Sequence, residues 1–301
     1  MYTFSCGSDL AIYLSWTTKW EMIHATARPI LRGVAQPSTR APTLTGRQLA
    51  LFREQGFLAV TEPFFAERAV TFARERVDLL FDRWSTLPRR LAPTSSASGA
   101  PPAIARIHRP TALDPAISYC ELVETCRALA MSILQVNKVW RRFDGAVYKH
   151  PGAGDVDWHQ DFAQQTMGAP KRSVHFWIPL NDHAANSGTL LFVPGSHQIG
   201  LGQPRRAKLV SLLARGPAPI PDEGVPVGIP LSLGNFSIHT PWTTHGSRPN
   251  FSQEIRKALV LEFSPGPWSA ARQIAPAVVT SRGQAVRSVG RRHRRHRSSA
   301  T

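Results

Sequence analysis

The sequence is poor in cysteine, poor in acidic residues and free of long apolar runs. Its three cysteines, Cys6, Cys120 and Cys126, cannot build a disulfide framework. That scarcity points to a reducing, cytoplasmic compartment. Cys120 and Cys126 fall on a predicted helix with no histidine beside them, so they read as packing groups rather than a nucleophile or a zinc site. No apolar run reaches the length of a membrane-spanning helix, and none is expected. The first residues lack a basic segment followed by an apolar core and a small-residue cleavage site, so no secretory leader is expected. No internal repeat is visible.

Acidic residues number 20 against 36 lysines and arginines, a net charge of +16. Residues 271–301 contain eight arginines and no acid, so half of the excess lies there. The final run GRRHRRHRSSAT has no apolar stripe and is predicted to be a disordered, solvated tail. Its expected contact is a weak one with polyanions. Arginines flanking His293 and His296 would repel a metal cation. The remaining positive charge suits an anionic small molecule. Nothing in the body resembles a nucleic-acid recognition element. Three segments follow: an N-terminal extension over 1–42, a domain over 43–265 and the basic tail over 266–301.

What is present is a helical opening followed by short strands. LTGRQLALFREQGFLAV predicts a helix stopped by Gly56, then a strand over Phe57–Val60. Helices are predicted over Phe64–Trp84 and Ala112–Leu134, and a strand over Ile104–Ile107. Sheet follows from Gln135 to Val147, at Val174–Pro179, at Thr189–Val193, at Leu231–Ile238 and at Ile255–Phe263, with a turn at Asn186–Gly188. Residues 88–102 and 201–227 read as loops. The pattern predicts a β-rich fold, a double-stranded β-helix (a cupin-like jelly roll), with the N-terminal helices on its outer face.

His159 and Asp161 are two residues apart, and on an extended strand they face the same way. They converge there on one metal ion, and a third ligand must come from elsewhere. His245 supplies one; His239, six residues earlier, competes for the place. Two imidazoles and a carboxylate form the facial set of non-haem Fe(II) oxygenases, which leaves coordination positions open. A bidentate 2-oxo acid and dioxygen fit those positions. Arg256, eleven residues after His245, is suited to grip a distal carboxylate with two parallel hydrogen bonds.

HQD at 159–161, NSG at 186–188, PGSH at 194–197, HGS at 245–247, Asn250 and Arg256 together resemble the phytanoyl-CoA dioxygenase family, and the stretch from 43 to 60 is similar to its usual start. The likeness spans roughly residues 43–265. It implies that His159, Asp161 and His245 hold iron, acting catalytically through it, and that Arg256 binds the C5 carboxylate of 2-oxoglutarate. Ser247 matches a hydroxyl that assists in some members, and Lys149 a lysine upstream of the metal motif. It implies Fe(II) as cofactor, 2-oxoglutarate and O2 as co-substrates, and succinate and CO2 as products. Related halogenating enzymes have a small residue where Asp161 stands, so hydroxylation is the default outcome.

The remaining histidines have plainer expectations: His197 hydrogen-bonds backbone, and His175 and His183 are exposed or packing residues. Gln160 points away from the metal, while Trp158 and Phe162 pack the sheet. Lys171, Arg172, Arg205 and Arg206 favour an anionic substrate if they face the mouth. The competing function is a metal-binding jelly roll without oxygen chemistry, an isomerase or binding module; a 2-oxo acid bound through Arg256 separates the two.

Overall fold

The computed structural model describes residues 43–93, 101–161, 172–198 and 225–266. The expected N-terminal extension and basic tail, the loop residues 94–100 and the stretches 162–171 and 199–224 lie outside them.

Helix α1 (Gly46–Gln55) starts on a reciprocal cap: Thr45 Oγ1 accepts from Gln48 N–H, and Gln48 Oε1 accepts from Thr45 N–H. It stops at Gly56, whose φ of 81° is the left-handed conformation that glycine allows. Strand β1 (Phe57–Val60) and helix α2 (Glu67–Asp82) follow, then β2 (Ile104–His108).

The single helix predicted over 112–134 is instead three: α3 (Pro110–Leu113), α4 (Pro115–Ser118) and α5 (Glu121–Leu134). Proline drives the residue before it out of helical conformation, and Asp114 accordingly lies at φ −134° and ψ 100°. Its Oδ1 accepts from Ala116 N–H and caps α4.

The remaining strands are β3 (Trp140–Lys149), β4 (Val156–His159), β5 (Val174–Pro179), β6 (Leu190–Phe192), β7 (Val227–Gly228), β8 (Phe236–His239), β9 (His245–Ser247) and β10 (Arg256–Ser264). Sheet begins at Trp140 rather than Gln135, and β8 begins at Phe236 rather than Leu231, because a turn with Gly234 at φ 88° precedes it.

Six strands form one antiparallel sheet in the order β1-β8-β5-β10-β3-β2, and four form a second in the order β4-β9-β6-β7. This is the double-stranded β-helix, with helices N-terminal to most of it. The main core joins the helices to the outer face of the larger sheet through Val70, Val77, Leu122, Leu129, Phe176 and Leu261. A smaller cluster of Val147, Trp177, Leu231 and Ala258 fills the lumen between the sheets. Strand alternation separates the two faces: Leu259 and Leu261 look outward to the helices, whereas Arg256 and Ala258 look inward.

The Pro-Gly-Ser-His turn at 194–197 closes the C-terminal end of α1. His197 Nε2–H donates to the Arg53 carbonyl at 3.0 Å, Gln198 Nε2–H to that of Glu54 at 3.0 Å, and Gly195 N–H to that of Gln55 at 2.9 Å. Carbonyls left open by the helix are thus satisfied by the loop after β6. His197 therefore bonds backbone, as expected.

Candidate active site

Strand β9 brings His245 into register with His159 at the end of β4. The two imidazoles lie 4.2 Å apart between ring centroids. Asp161 is not on the strand, as the alternation argument required; it lies just past the end of β4, where the chain turns it toward His159. Its Oδ1 is 3.7 Å from His159 Nε2 and its Oδ2 is 3.8 Å from His245 Nε2. The donor atoms of His159, Asp161 and His245 all lie within 4.8 Å of one another. Gln160 is turned away and donates to the Trp242 carbonyl at 2.6 Å.

The imidazole tautomers follow from their partners. His159 Nδ1 lies 2.7 Å from the Asp157 carbonyl, and His245 Nδ1 lies 2.9 Å from that of Thr243. A carbonyl only accepts, so each Nδ1 carries the proton and each Nε2 presents its lone pair to the shared space. Burial pushes both imidazoles down to about 4, with His245 adding to the effect on His159 and Asp161 opposing it at both rings, so both are neutral at pH 7, the form in which an imidazole can bind a metal. Burial alone would raise the Asp161 carboxyl, but His175 and His245, with hydrogen bonds from His175 and His239, hold it well below the usual carboxylate range. These are the donor types that Fe(II) accepts.

His239 and His175 were not expected here in this way. His239 also reaches Asp161, with Nε2 3.1 Å from Oδ2, and Asp161, His175 and His239 form a second convergent group. An Nε2–H that donates to the carboxylate has no lone pair for a metal, which sets His239 apart from His245. His175 is neither exposed nor merely packing: it is buried with Nδ1 3.0 Å from Asp161 Oδ2. Burial opposes its charge, but Asp161 and then Glu262 outweigh this and push it up to about 10. The signal for it lay in alternation, since His175 and Trp177 share a face of β5 with the lumen. His183 is buried too, with Nε2 2.9 Å from the Lys257 carbonyl, a packing role.

Deeper in the lumen, Arg256 is buried and its guanidinium carbon lies 4.8 Å from the Trp177 ring centre. One Nη donates to the Gly188 carbonyl, while Nε has no partner among the described residues. Burial, then repulsion by Arg106, lowers it to about 9, which leaves it charged at neutral pH. Ser237 Oγ is likewise buried without a partner and lines the same narrow cavity. Lys149 pairs with Arg256 across β3 and β10, is fully buried and donates to Ser247 Oγ at 2.9 Å and to the Arg248 carbonyl. Buried donors without acceptors are what an anion site needs.

A model of the phytanoyl-CoA dioxygenase (PhyH) family matches residues 52–258. The chain belongs to the phytanoyl-CoA dioxygenase family. Phytanoyl-CoA dioxygenase domain-containing protein 1 from Bos taurus is 28% identical over 178 residues, which are 56% of this chain and 60% of that protein. The double-stranded β-helix of the family recurs in solved structures. EvdO2 from Micromonospora carbonacea var. aurantiaca aligns with a TM-score of 0.58 at 24% identity, covering 74% of this chain and 92% of that one. EctD from S. alaskensis, solved with 2-oxoglutarate and 5-hydroxyectoine, aligns with a TM-score of 0.60 at 20% identity, covering 77% and 79%.

Within this phytanoyl-CoA dioxygenase member, two readings of surface charge change. Arg172 does not face the mouth: its Nη2–H donates to the Leu134 carbonyl at 2.7 Å, at the end of α5. Lys171, Arg205, Arg206 and Phe162 lie outside the described residues. Among the described residues, Arg106 of β2 is an exposed cation on the same sheet. Ala105 and Ile107 are buried against the helices, so Arg106 projects from the lumen face of β2, opposite Val147. Its charge is felt at Asp161, Lys149, His159 and Arg256. Among the described residues no helix is long and apolar enough to cross a membrane, and Cys120 and Cys126 are unbridged.

Proposed function

We propose that this chain is an Fe(II)- and 2-oxoglutarate-dependent dioxygenase that hydroxylates a small anionic organic molecule in the cytoplasm. The observation that carries the reading is a convergent His159, Asp161 and His245 set above a buried Arg256 with an unpaired donor. His159 Nε2, His245 Nε2 and one Asp161 oxygen would hold the iron. Bound iron(II) supplies the redox chemistry that couples oxidative decarboxylation of 2-oxoglutarate, giving succinate and CO2, to oxidation of the second substrate.

The chain's own groups do the positioning. Arg256 neutralises the far carboxylate of the co-substrate inside the lumen, with Ser247, Lys149 and Ser237 as nearby polar groups. The walls of Trp177, Leu231 and Phe192 keep water from that carboxylate, which strengthens its ion pair. Asp161 occupies the position a halide would need, which favours hydroxylation. Arg106, the exposed cation of β2, supports an anionic group on the second substrate, held within reach of the metal position.

The test is spectroscopic. Anaerobic protein with Fe(II) and 2-oxoglutarate develops the weak visible charge-transfer band of a chelated 2-oxo acid. Asp161→Ala loses the band through loss of iron. Arg256→Ala keeps iron but needs far more 2-oxoglutarate, and Arg256→Lys recovers part of the affinity because an ammonium lacks the planar fork. Absence of both the band and 2-oxoglutarate-dependent oxygen uptake would return the chain to a metal-binding jelly roll without oxygen chemistry.

A further inference from the structure

A row of ionisable side chains crosses the lumen face of the larger sheet at the level of Asp161. Glu262 of β10 pairs in register with His175 of β5, which pairs with His239 of β8. Arg142 extends the row, its Nε 3.4 Å from Glu262 Oε1. His175 Nε2 lies 3.5 Å from Glu262 Oε1, and Nδ1 lies 3.0 Å from Asp161 Oδ2. His239 Nε2 meets the same oxygen at 3.1 Å. Glu262, His175 and His239 are all buried. Asp161 Oδ1, by contrast, has no hydrogen bond from a described residue and faces His159 Nε2 at 3.7 Å.

We infer that His175, backed by Glu262, is a positioning residue that holds Asp161 Oδ2 so that the carboxylate ligates iron through one oxygen only. The inference rests on the iron-oxygenase reading above and adds to it the residues that set the carboxylate's coordination mode. A carboxylate free to rotate can chelate with both oxygens, and a bidentate Asp161 would take a position that the co-substrate or dioxygen needs. Two imidazole donors on Oδ2 oppose that rotation, since they take up both of its lone pairs and chelation would have to displace at least one of them. Glu262 in turn keeps the His175 ring from turning, the usual work of an outer partner behind a ligand. His239 shares the load, but only His175 is backed by a carboxylate among these contacts.

The experiment uses Co(II), whose visible absorption intensity falls as coordination number rises, with the full chain and no co-substrate. Wild-type protein is expected to bind one Co(II). His175→Phe, which keeps a ring but no donor, should bind Co(II) about tenfold more weakly or worse, with a changed visible spectrum. His175→Gln, whose amide offers an N–H to Oδ2, should return toward the wild-type spectrum. Glu262→Gln should move affinity in the same direction as His175→Phe, by less, and serves as the test if His175→Phe does not melt cooperatively. Wild-type affinity and spectrum in a folded His175→Phe, or in Glu262→Gln where that is the test, overturn the inference. Two Co(II) per wild-type chain, one lost in His175→Phe, overturn it in favour of His175 as a ligand. No Co(II) binding by wild type removes the iron-oxygenase reading itself, a different failure.

Discussion

Lys149 shows how much a single buried charge constrains its surroundings. Its side chain threads past Gly188 at φ 87°, where a Cβ would stand 2.9 Å from the Arg248 carbonyl oxygen and 3.0 Å from Lys149 Cδ. The glycine of the Asn-Ser-Gly turn is therefore needed twice, for its backbone conformation and for the space it leaves. Burial, then Arg256, lowers Lys149, Asp155 opposes and Arg106 adds a smaller lowering, for a net of about 7. Unliganded protein thus holds Lys149 partly neutral at neutral pH. A carboxylate bound beside it favours the ammonium, so binding above pH 7 takes up a proton. Calorimetric titration of 2-oxoglutarate into Mn(II)-loaded protein should show affinity falling from about pH 7 to about pH 8.5, by up to about tenfold per pH unit. Lys149→Met should flatten that slope. Equal slopes in the two proteins would remove Lys149 from the co-substrate's contacts.

At the scale of elements, the helix that opens the domain and the strand that carries His245 are fastened to the same point. Gly56, the stop of α1, accepts from Thr240 N–H at 2.9 Å and from Thr243 Oγ1–H at 2.6 Å. Thr243 offers its own carbonyl to His245 Nδ1. Ser196 Oγ of the Pro-Gly-Ser-His turn accepts from Thr244 N–H at 2.9 Å. A motif that reads in sequence as a marker is thus a clamp that fixes α1 and the His245 tautomer together. Gly56→Ala should expose the coupling. Its φ of 81° disfavours alanine, and the new Cβ would fall 2.4 Å from His197 Nδ1 and 2.8 Å from Thr243 Oγ1. Stability should drop by more than about 1 kcal/mol in denaturant unfolding, and metal affinity should fall with it. A large loss of stability with unaltered metal binding would mean that α1 and His245 are not coupled. The glycine stop of α1 and the strands β1, β5 and β10 were legible because caps and alternation are local. The break at Pro115, the late start of β8 and the burial of His175 were less so, because apolar periodicity runs through Pro115 and the apolar run at Leu231 continues through the turn at Gly234, and because His175 joins the site only when three strands pair.

For the whole molecule, the convergence of His159, Asp161 and His245, the interest of Arg256 and the jelly roll could be read from ordered motifs and strand pattern, whereas Arg106, Ser237 and Glu262 emerged only from which face of the sheet each occupies. The described buried core runs from Leu44 to Phe263, and the basic tail lies outside the described residues. That tail holds eight of the arginines behind a net charge of +16, and no acid. Removing residues 270–301 should therefore separate two properties. Thermal unfolding should shift by less than about 2 °C, a change smaller than about 1 kcal/mol in a domain of this size. Co(II) affinity should match that of the full chain. Retention on heparin, which scales with the number of cations that release counterions, should weaken and elute at lower salt. A large fall in melting temperature would show that the tail packs on the domain. Unchanged heparin retention would place the polyanion affinity in the body instead, where Arg106 is an exposed cation of β2.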